Sequence, residues 1–256
     1  MSELVQYTVN RAIATVTLDS PENRNALSSA LVQQTSERLR EAALDDDVRA
    51  VVLTHSGSTF CSGADLREAT AEGGPELGTL RMLGLLRLIV ELPKPVVGRV
   101  DGSVRAGGLG VVGACDIVVA SHNASFAFTE ARLGLAPAII SLTTLNRLTE
   151  RAAARYFLTG DVFDASAAQS AGLITIAADD LDAEVERLTA SVRLCSPQGL
   201  AETKPLTTHA VRAAFAQFSD EVQAQSSRLF ASAEAKEGML AFLQKRPPQW
   251  AAQAGQ

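Results

Sequence analysis

Apolar and polar residues alternate twice near the start of the chain, over residues 4–9 and 12–18. That period of two predicts a β-hairpin turning at Asn10-Arg11. A polar loop, residues 19–25, follows, and then the period changes. Leu31, Val32, Thr35, Leu39, Ala42 and Ala43 recur at helical spacing and predict a helix over 28–44. Residues 48–53 form a short continuous apolar run, the pattern of a strand buried on both faces.

The same rhythm then recurs. A loop over 55–65 leads into helical sequence, and 75–92 predicts a second long helix. Residues 95–100 read as a strand, 101–110 as a Gly-rich loop, and 107–114 as a helix of small residues. Strands are predicted at 116–120 and 124–128. Beyond Pro137 the pattern is helical almost throughout: 137–148, 150–159, 165–171, 181–195, 197–218 and 220–245, with a frayed tail after Trp250. Strands and helices alternate in the first half and helices dominate the second, so the fold class is α/β with a helical C-terminal extension. The division expected is a core domain over 1–195 and a C-terminal helical region over 196–256.

Composition narrows the class. The 256 residues are 46% hydrophobic and 20% charged, enough for a large core without staples. Cys61, Cys115 and Cys195 are scattered and odd in number, which suits a reducing compartment and argues against a metal site. The net charge of −6 gives no general attraction for nucleic acid or anionic lipid. Residues 1–10 lack the basic and apolar regions of an export signal, and the most apolar stretch, 82–92, is too short to span a bilayer. A cytoplasmic protein with no membrane partner is expected.

Two loops concentrate the candidate chemistry. Each follows a buried strand and puts small residues at a helix start: Thr59-Phe60-Cys61-Ser62-Gly63-Ala64-Asp65-Leu66, and Asp101-Gly102-Ser103-Val104-Arg105-Ala106-Gly107-Gly108. A helix N-terminus presents backbone N–H groups without intrahelical partners. Glycine or alanine lets a ligand carbonyl approach them. Two such donors on one oxygen make an oxyanion hole. Taken singly, each loop is weak evidence, and an ordinary tight turn with packing glycines is the better reading. No Gly-Lys-Ser/Thr follows the second, so it is not a nucleotide-phosphate loop, and no GxSxG marks a serine hydrolase. His55, His122 and His209 lack ligand spacing.

Here the sequence resembles the crotonase superfamily, the enoyl-CoA hydratase/isomerase family. Phe60-Cys61-Ser62-Gly63-Ala64-Asp65-Leu66-Arg67-Glu68 is similar to one family signature. Asp101-Gly102, Ala106-Gly107-Gly108 and Ala114-Cys115-Asp116 resemble the second. Pro21-Glu22-Asn23-Arg24-Asn25-Ala26-Leu27, the tract from Phe126 to Pro137, and the tract from Glu237 to Arg246 complete a match in order over nearly the whole chain. The resemblance implies a crotonase-like spiral of repeated ββα units with a C-terminal trimerisation region, as a homotrimer or a dimer of trimers. The apolar Phe215, Phe218, Leu229 and Phe230 exceed one core's needs on this reading.

For the site, the resemblance implies that Ala64 and Gly107 supply the oxyanion N–H groups. Arg24, Ala26, Asp65, Leu66, Arg67, Gly108, Phe242 and Lys245 would border the acyl-CoA, and no cofactor is needed because coenzyme A is part of the substrate. An RNA-binding role, found in one related subgroup, would need a basic helix at 28–44, where Glu37, Arg38, Arg40 and Glu41 balance.

Family hydratases often carry two glutamates. The second falls at Glu130, whose local alternatives are a helix-start carboxylate or a salt bridge to Arg132. The first falls at Gly110, which cannot move a proton. The tract from Thr129 to Ser141 is similar to branched-chain enoyl-CoA hydratases of the methylglutaconyl-CoA type. Three functions follow: a hydratase acting through Glu130 alone, a Δ3,Δ2-enoyl-CoA isomerase using the same glutamate, or an acyl-CoA binder without turnover.

Overall fold

The computed structural model describes residues 3–69 and 75–253. Strands β1 (Val5–Asn10) and β2 (Ile13–Leu18) form the expected hairpin, but its turn residues are Arg11 and Ala12, at φ 48° and 64°. The register pairs Val5 with Leu18, so that Ala14, Val16 and Leu18 all point into the core. Burial of that face, not turn preference at Asn10, sets where the chain reverses.

Helix α1 (Ser29–Leu44) begins where Ser28 accepts the N–H of Leu31, and buries Leu31, Val32, Thr35, Leu39 and Ala42. Strand β3 (Ala50–His55) is buried at all six positions. Then the chain leaves the main sheet for a three-residue strand, β4 (Thr59–Cys61), and turns into a short helix, α2 (Leu66–Ala69), and a long one, α3 (Pro75–Glu91). The pattern returns as β5 (Val96–Val100), β6 (Ser103–Arg105) and α4 (Gly107–Ala114). It returns again as β7 (Ile117–Ser121), β8 (Ser125–Ala127), a 3-10 turn at Glu130–Leu133, and α5 (Ala138–Thr144).

Each turn of this spiral therefore gives one strand to each of two sheets before its helical segment. The larger sheet runs β1-β2-β3-β5-β7-β10, the smaller β4-β6-β8-β9, where β9 is Phe163–Asp164 and β10 is Ile176–Ala178. From β2 onward the larger sheet is parallel. The expected ββα spiral is present. Its short second strands, β4 and β6, lie where loops were expected.

Between and beyond those last strands come α6 (Glu150–Thr159), α7 (Ala165–Ala171) and α8 (Leu181–Arg193). Alternate residues of the main sheet face opposite ways. Val51 and Leu53 enter the principal core, while Ala50, Val52, Val97 and Val119 meet Leu181 and Val185 of α8.

The C-terminal helices divide differently from expectation. They are α9 (Pro197–Thr207), α10 (His209–Phe230), α11 (Ala233–Leu243) and α12 (Gln249–Gln253). No break occurs near Ser219, because that residue lies buried against α3, accepting from Arg87 and donating to the Phe215 carbonyl. Residues 251–253 continue a helix that starts at Gln249, where fraying was expected, and 254–256 lie outside the described residues. Phe215 is buried under Arg87 and is not free for subunit contact.

Lys204 joins α9 to the core. It is 3% exposed, pairs with Asp116 at 2.7 Å, and donates to the carbonyls of Ile89 and Lys94. Asp116 in turn accepts the N–H of Val96, so one largely buried carboxylate, 13% exposed, ties a sheet strand to a C-terminal helix. Among the described residues no helix is long and apolar enough to cross a membrane.

Candidate active site

The two small-residue loops meet because β4 and β6 pair in parallel, Thr59 opposite Ser103 and Cys61 opposite Val104. Gly63, at φ 95°, follows β4. A Cβ there would stand 2.9 Å from the Ala106 Cβ and 3.3 Å from the Gly107 nitrogen. Only glycine fits that backbone conformation beside a second chain. Leu27 fastens the first loop from the other side, donating its N–H to the Gly63 carbonyl at 2.8 Å and bridging to Ala64.

On the second loop Ala106 takes φ 46° and ψ −120°, a conformation rare for a residue with a Cβ. Such backbone strain costs of order 1–3 kcal/mol and persists only where neighbours hold it. Here Ala106 donates its N–H to the Ala127 carbonyl at 3.1 Å. Gly107 then opens α4. Among the described residues, no acceptor takes the N–H of Ala64 or of Gly107.

Glu130 stands three residues beyond the Ala127 carbonyl that holds Ala106. Its carboxylate is buried, and among the described residues Oε2 has no hydrogen-bond partner. Burial pushes its pKa up to about 7, opposed by its own backbone N–H. The alternative pairing with Arg132 is absent, since that guanidinium reaches the Thr159 carbonyl and Asp161. Helices α6 and α11 pack on the turn that carries Glu130.

Gly110 does not leave open space. A Cβ there would stand 2.5 Å from Ile140 Cγ2 and 3.2 Å from Met82 Cε. Helices α4 and α5 touch at this glycine, and Thr143 of α5 donates to the Gly110 carbonyl at 2.9 Å. The Met82 methyl also lies 3.6 Å from where a Gly107 Cβ would be, so an apolar wall runs from Gly107 to Ile140. Overpacking a tight core costs about 1–3 kcal/mol. Gly110→Ala is therefore expected to lower the urea midpoint, and adding Ile140→Ala to restore much of it. An unchanged midpoint in Gly110→Ala would contradict the contact.

The remaining expected residues fall into three places. Arg24, Ala26, Asp65, Leu66 and Arg67 lie together, with the Ser62 N–H on the Arg24 carbonyl and Asn23 donating to Asp65 at 2.8 Å. Arg24 and Arg67 are exposed, Ala26 is buried, and Asp65 accepts the N–H of Arg67. Gly108 was expected beside the substrate. It is buried, and a Cβ on it would stand 2.9 Å from the Cys61 side chain, so its smallness serves strand–helix packing.

Phe242 and Lys245 lie exposed at the end of α11, and no hydrogen bond or ion pair among the described residues ties them to the Arg24–Asp65 group. Asn25 was quoted only as part of a motif, yet it organises the early loop. Fully buried at φ 50°, it accepts the Ser20 N–H and donates to the carbonyls of Ser56 and Thr59.

Comparison with known proteins gives the family. The family model described as Enoyl-CoA hydratase/isomerase matches residues 8–253. The solved structure of an enoyl-CoA hydratase from Mycobacterium avium is 53% identical, covers 98% of this chain and 100% of its own, and superposes with a TM-score of 0.90. That of an enoyl-CoA hydratase from Mycobacterium smegmatis is 31% identical with a TM-score of 0.77, covering 98% of this chain and 100% of its own. The 2,3-dehydroadipyl-CoA hydratase of Escherichia coli K12 is 34% identical over 97% of this chain and 98% of its own length. With its ββα spiral, its paired small-residue loops and a family match over nearly its whole length, the chain belongs to the enoyl-CoA hydratase/isomerase family.

Proposed function

We propose that this protein hydrates 2-enoyl-CoA thioesters, with Glu130 as the single acid/base and the N–H groups of Ala64 and Gly107 as the oxyanion hole. The observation that carries the reading is the buried, unpartnered Glu130 Oε2, whose pKa is raised to about 7. A carboxyl group poised there is present in both protonation states near neutrality, which suits it to take a proton and return it.

In this mechanism the ionised Glu130 accepts a proton from water as the water oxygen bonds to C3. The electron pair of the C2–C3 double bond moves toward the thioester oxygen, where the two N–H groups hold the enolate. Glu130 then delivers the proton to C2, and the enolate collapses to the 3-hydroxyacyl thioester. Arg24, Ala26, Asp65, Leu66 and Arg67 would lie along the CoA, with Phe242 and Lys245 at its far end. No cofactor takes part. The relatives named as enoyl-CoA hydratases favour this reaction. A branched acyl group belongs to the same reading through the tract from Thr129 to Ser141.

One observation favours a second reading. Ile140 and Met82 stand where another carboxylate would be, and a single carboxylate suffices to carry a proton from C2 to C4 in a Δ3,Δ2-isomerisation. Incubation with 2-enoyl-CoA and 3-enoyl-CoA of several lengths, with product identification, decides between them. A 3-hydroxyacyl-CoA from the first substrate is the expected result. Conversion of 3-enoyl to 2-enoyl alone would establish the isomerase, and binding without either product an acyl-CoA binder.

The working form in this reading is a cytoplasmic homotrimer or dimer of trimers, with residues 196–256 as the assembling region over a core of 1–195. Leu206 (76% exposed), Phe218 (40%), Leu240 (48%) and Leu243 (47%) are the apolar groups available for it. Light scattering is expected to give three or six chains at micromolar concentration. A stable monomer would remove the idea.

A further inference from the structure

We propose that His55 is a positioning residue that clasps the two loops whose amides form the oxyanion hole. The inference rests on that assignment of Ala64 and Gly107. His55 ends β3, at the fork where successive turns of the spiral leave the main sheet for the small one. It is 9% exposed.

Its Nε2 accepts the N–H of Asp101 at 3.0 Å, at the start of the second loop. Its ring meets Phe60 of β4 edge-on, with centroids 5.5 Å apart, on the first. Because Nε2 accepts, the proton sits on Nδ1, which lies 3.3 Å from the Ser56 carbonyl and donates to it. One neutral ring thus fixes both entering chains.

The fork is tight around it. Ser103 donates to the Ser58 carbonyl at 3.2 Å, and Gly102 packs its Cα against that same carbonyl. From here the chain reaches the candidate amides in one short strand each, β4 toward Ala64 and β6 toward Gly107. A shift at the fork has little slack in which to relax. Misplacement of reacting groups by about 1 Å costs on the order of 10²-fold in rate, so a smaller displacement costs less but measurably.

The clasp requires the neutral ring, because a protonated Nε2 would face the Asp101 N–H with a donor. Burial lowers the pKa of His55, and Arg99 on neighbouring β5 lowers it further, against the Asp101 carboxylate and the carbonyls of Ser56 and Thr59. The neutral form is therefore favoured at neutral pH. On its other sheet neighbour, β2, the residue paired with it is the apolar Leu18, and Asp19 beside it accepts from the Ser56 hydroxyl.

The test compares His55→Ala with His55→Gln, whose amide oxygen is able to accept the Asp101 N–H. In the alanine variant kcat is expected to fall about 10-fold, while affinity for a saturated acyl-CoA stays within about 3-fold. The glutamine variant should recover kcat to within about 3-fold of the parent. In wild-type protein, backbone amide resonances of Asp101, Ala64 and Gly107 should move together with the His55 ring as it protonates below the ordinary histidine pKa of about 6.5.

Unchanged kcat in folded His55→Ala, or a loss that glutamine does not recover, would overturn the proposal. Stationary Ala64 and Gly107 amides during the titration would overturn the clasp even if neither variant folds. Should the oxyanion assignment itself fail, those amides would still move with His55 while Gly107→Pro kept its activity, so the two failures are distinguishable.

Discussion

Glu130→Gln is expected to lower turnover by about 10³-fold, within the usual range for loss of general acid–base catalysis, while acyl-CoA binding persists. The amide keeps the size of the side chain and cannot carry the proton. Among the described residues, Ile140 and Met82 meet the Gly110 position, where the second family carboxylate would be. In the parent protein turnover should rise with pH through about 7, because the reaction begins with ionised Glu130. One carboxyl group, not a coupled pair, should govern that limb.

The same residue should register in stability with the opposite sense. A carboxyl whose pKa rises from 4.5 to about 7 on folding favours the folded state fully below 4.5, and that contribution is lost as pH rises through 7. The amide introduced by Glu130→Gln does not ionise. The variant should therefore match the parent near pH 4 and exceed it at pH 8, by roughly 3 kcal/mol at most. Denaturation in urea at both pH values measures this. Full activity in Glu130→Gln would sink the single-glutamate mechanism.

Gly107→Pro is expected to cost about 10²-fold or more in turnover, because proline removes the N–H while its ring is tolerated at the first position of a helix. Gly107→Ala is the control. It adds a Cβ that meets the flexible Leu27 Cδ1 at 3.1 Å, but keeps the donor, and should lose far less. Gly107→Val adds bulk on the same face and should behave like proline by obstructing the thioester oxygen. Circular dichroism establishes that each variant folds. Near-normal activity in folded Gly107→Pro would place the anion site elsewhere.

Much of the architecture was legible in residue pattern. Helices α4, α6 and α7 lie at the predicted residues, and α1 begins one residue later, after its Ser28 cap. Strands β4, β6, β9 and β10 were missed. At two or three residues each they are too short to show a period, and they exist because neighbouring turns of the spiral offer hydrogen-bond partners.

The break expected near residue 219 was misplaced for a similar reason. Local pattern favoured a stop beside Ser219 and Asp220, but Arg87 and the Phe215 carbonyl satisfy that serine inside the helical packing. The breaks fall instead at Thr208, four residues after Lys204 reaches into the core toward Asp116, and at Ala231-Ser232, where Ser232 caps α11.

Sequence by itself determined the α/β class, the order of its longer strands and most of its helices, the family, and the two loops and one glutamate that are candidates for chemistry. These are properties of local pattern and residue identity, carried by contiguous residues. Tertiary structure decided what contiguous residues do not encode. Ile140 and Met82 close the space at Gly110, burial in the folded chain raises the pKa of Glu130, and β4 and β6 set Gly63 against Gly107. Each of these depends on atoms far apart in the chain. Their contact distances, and the desolvation that follows, exist only once the spiral has brought its turns together.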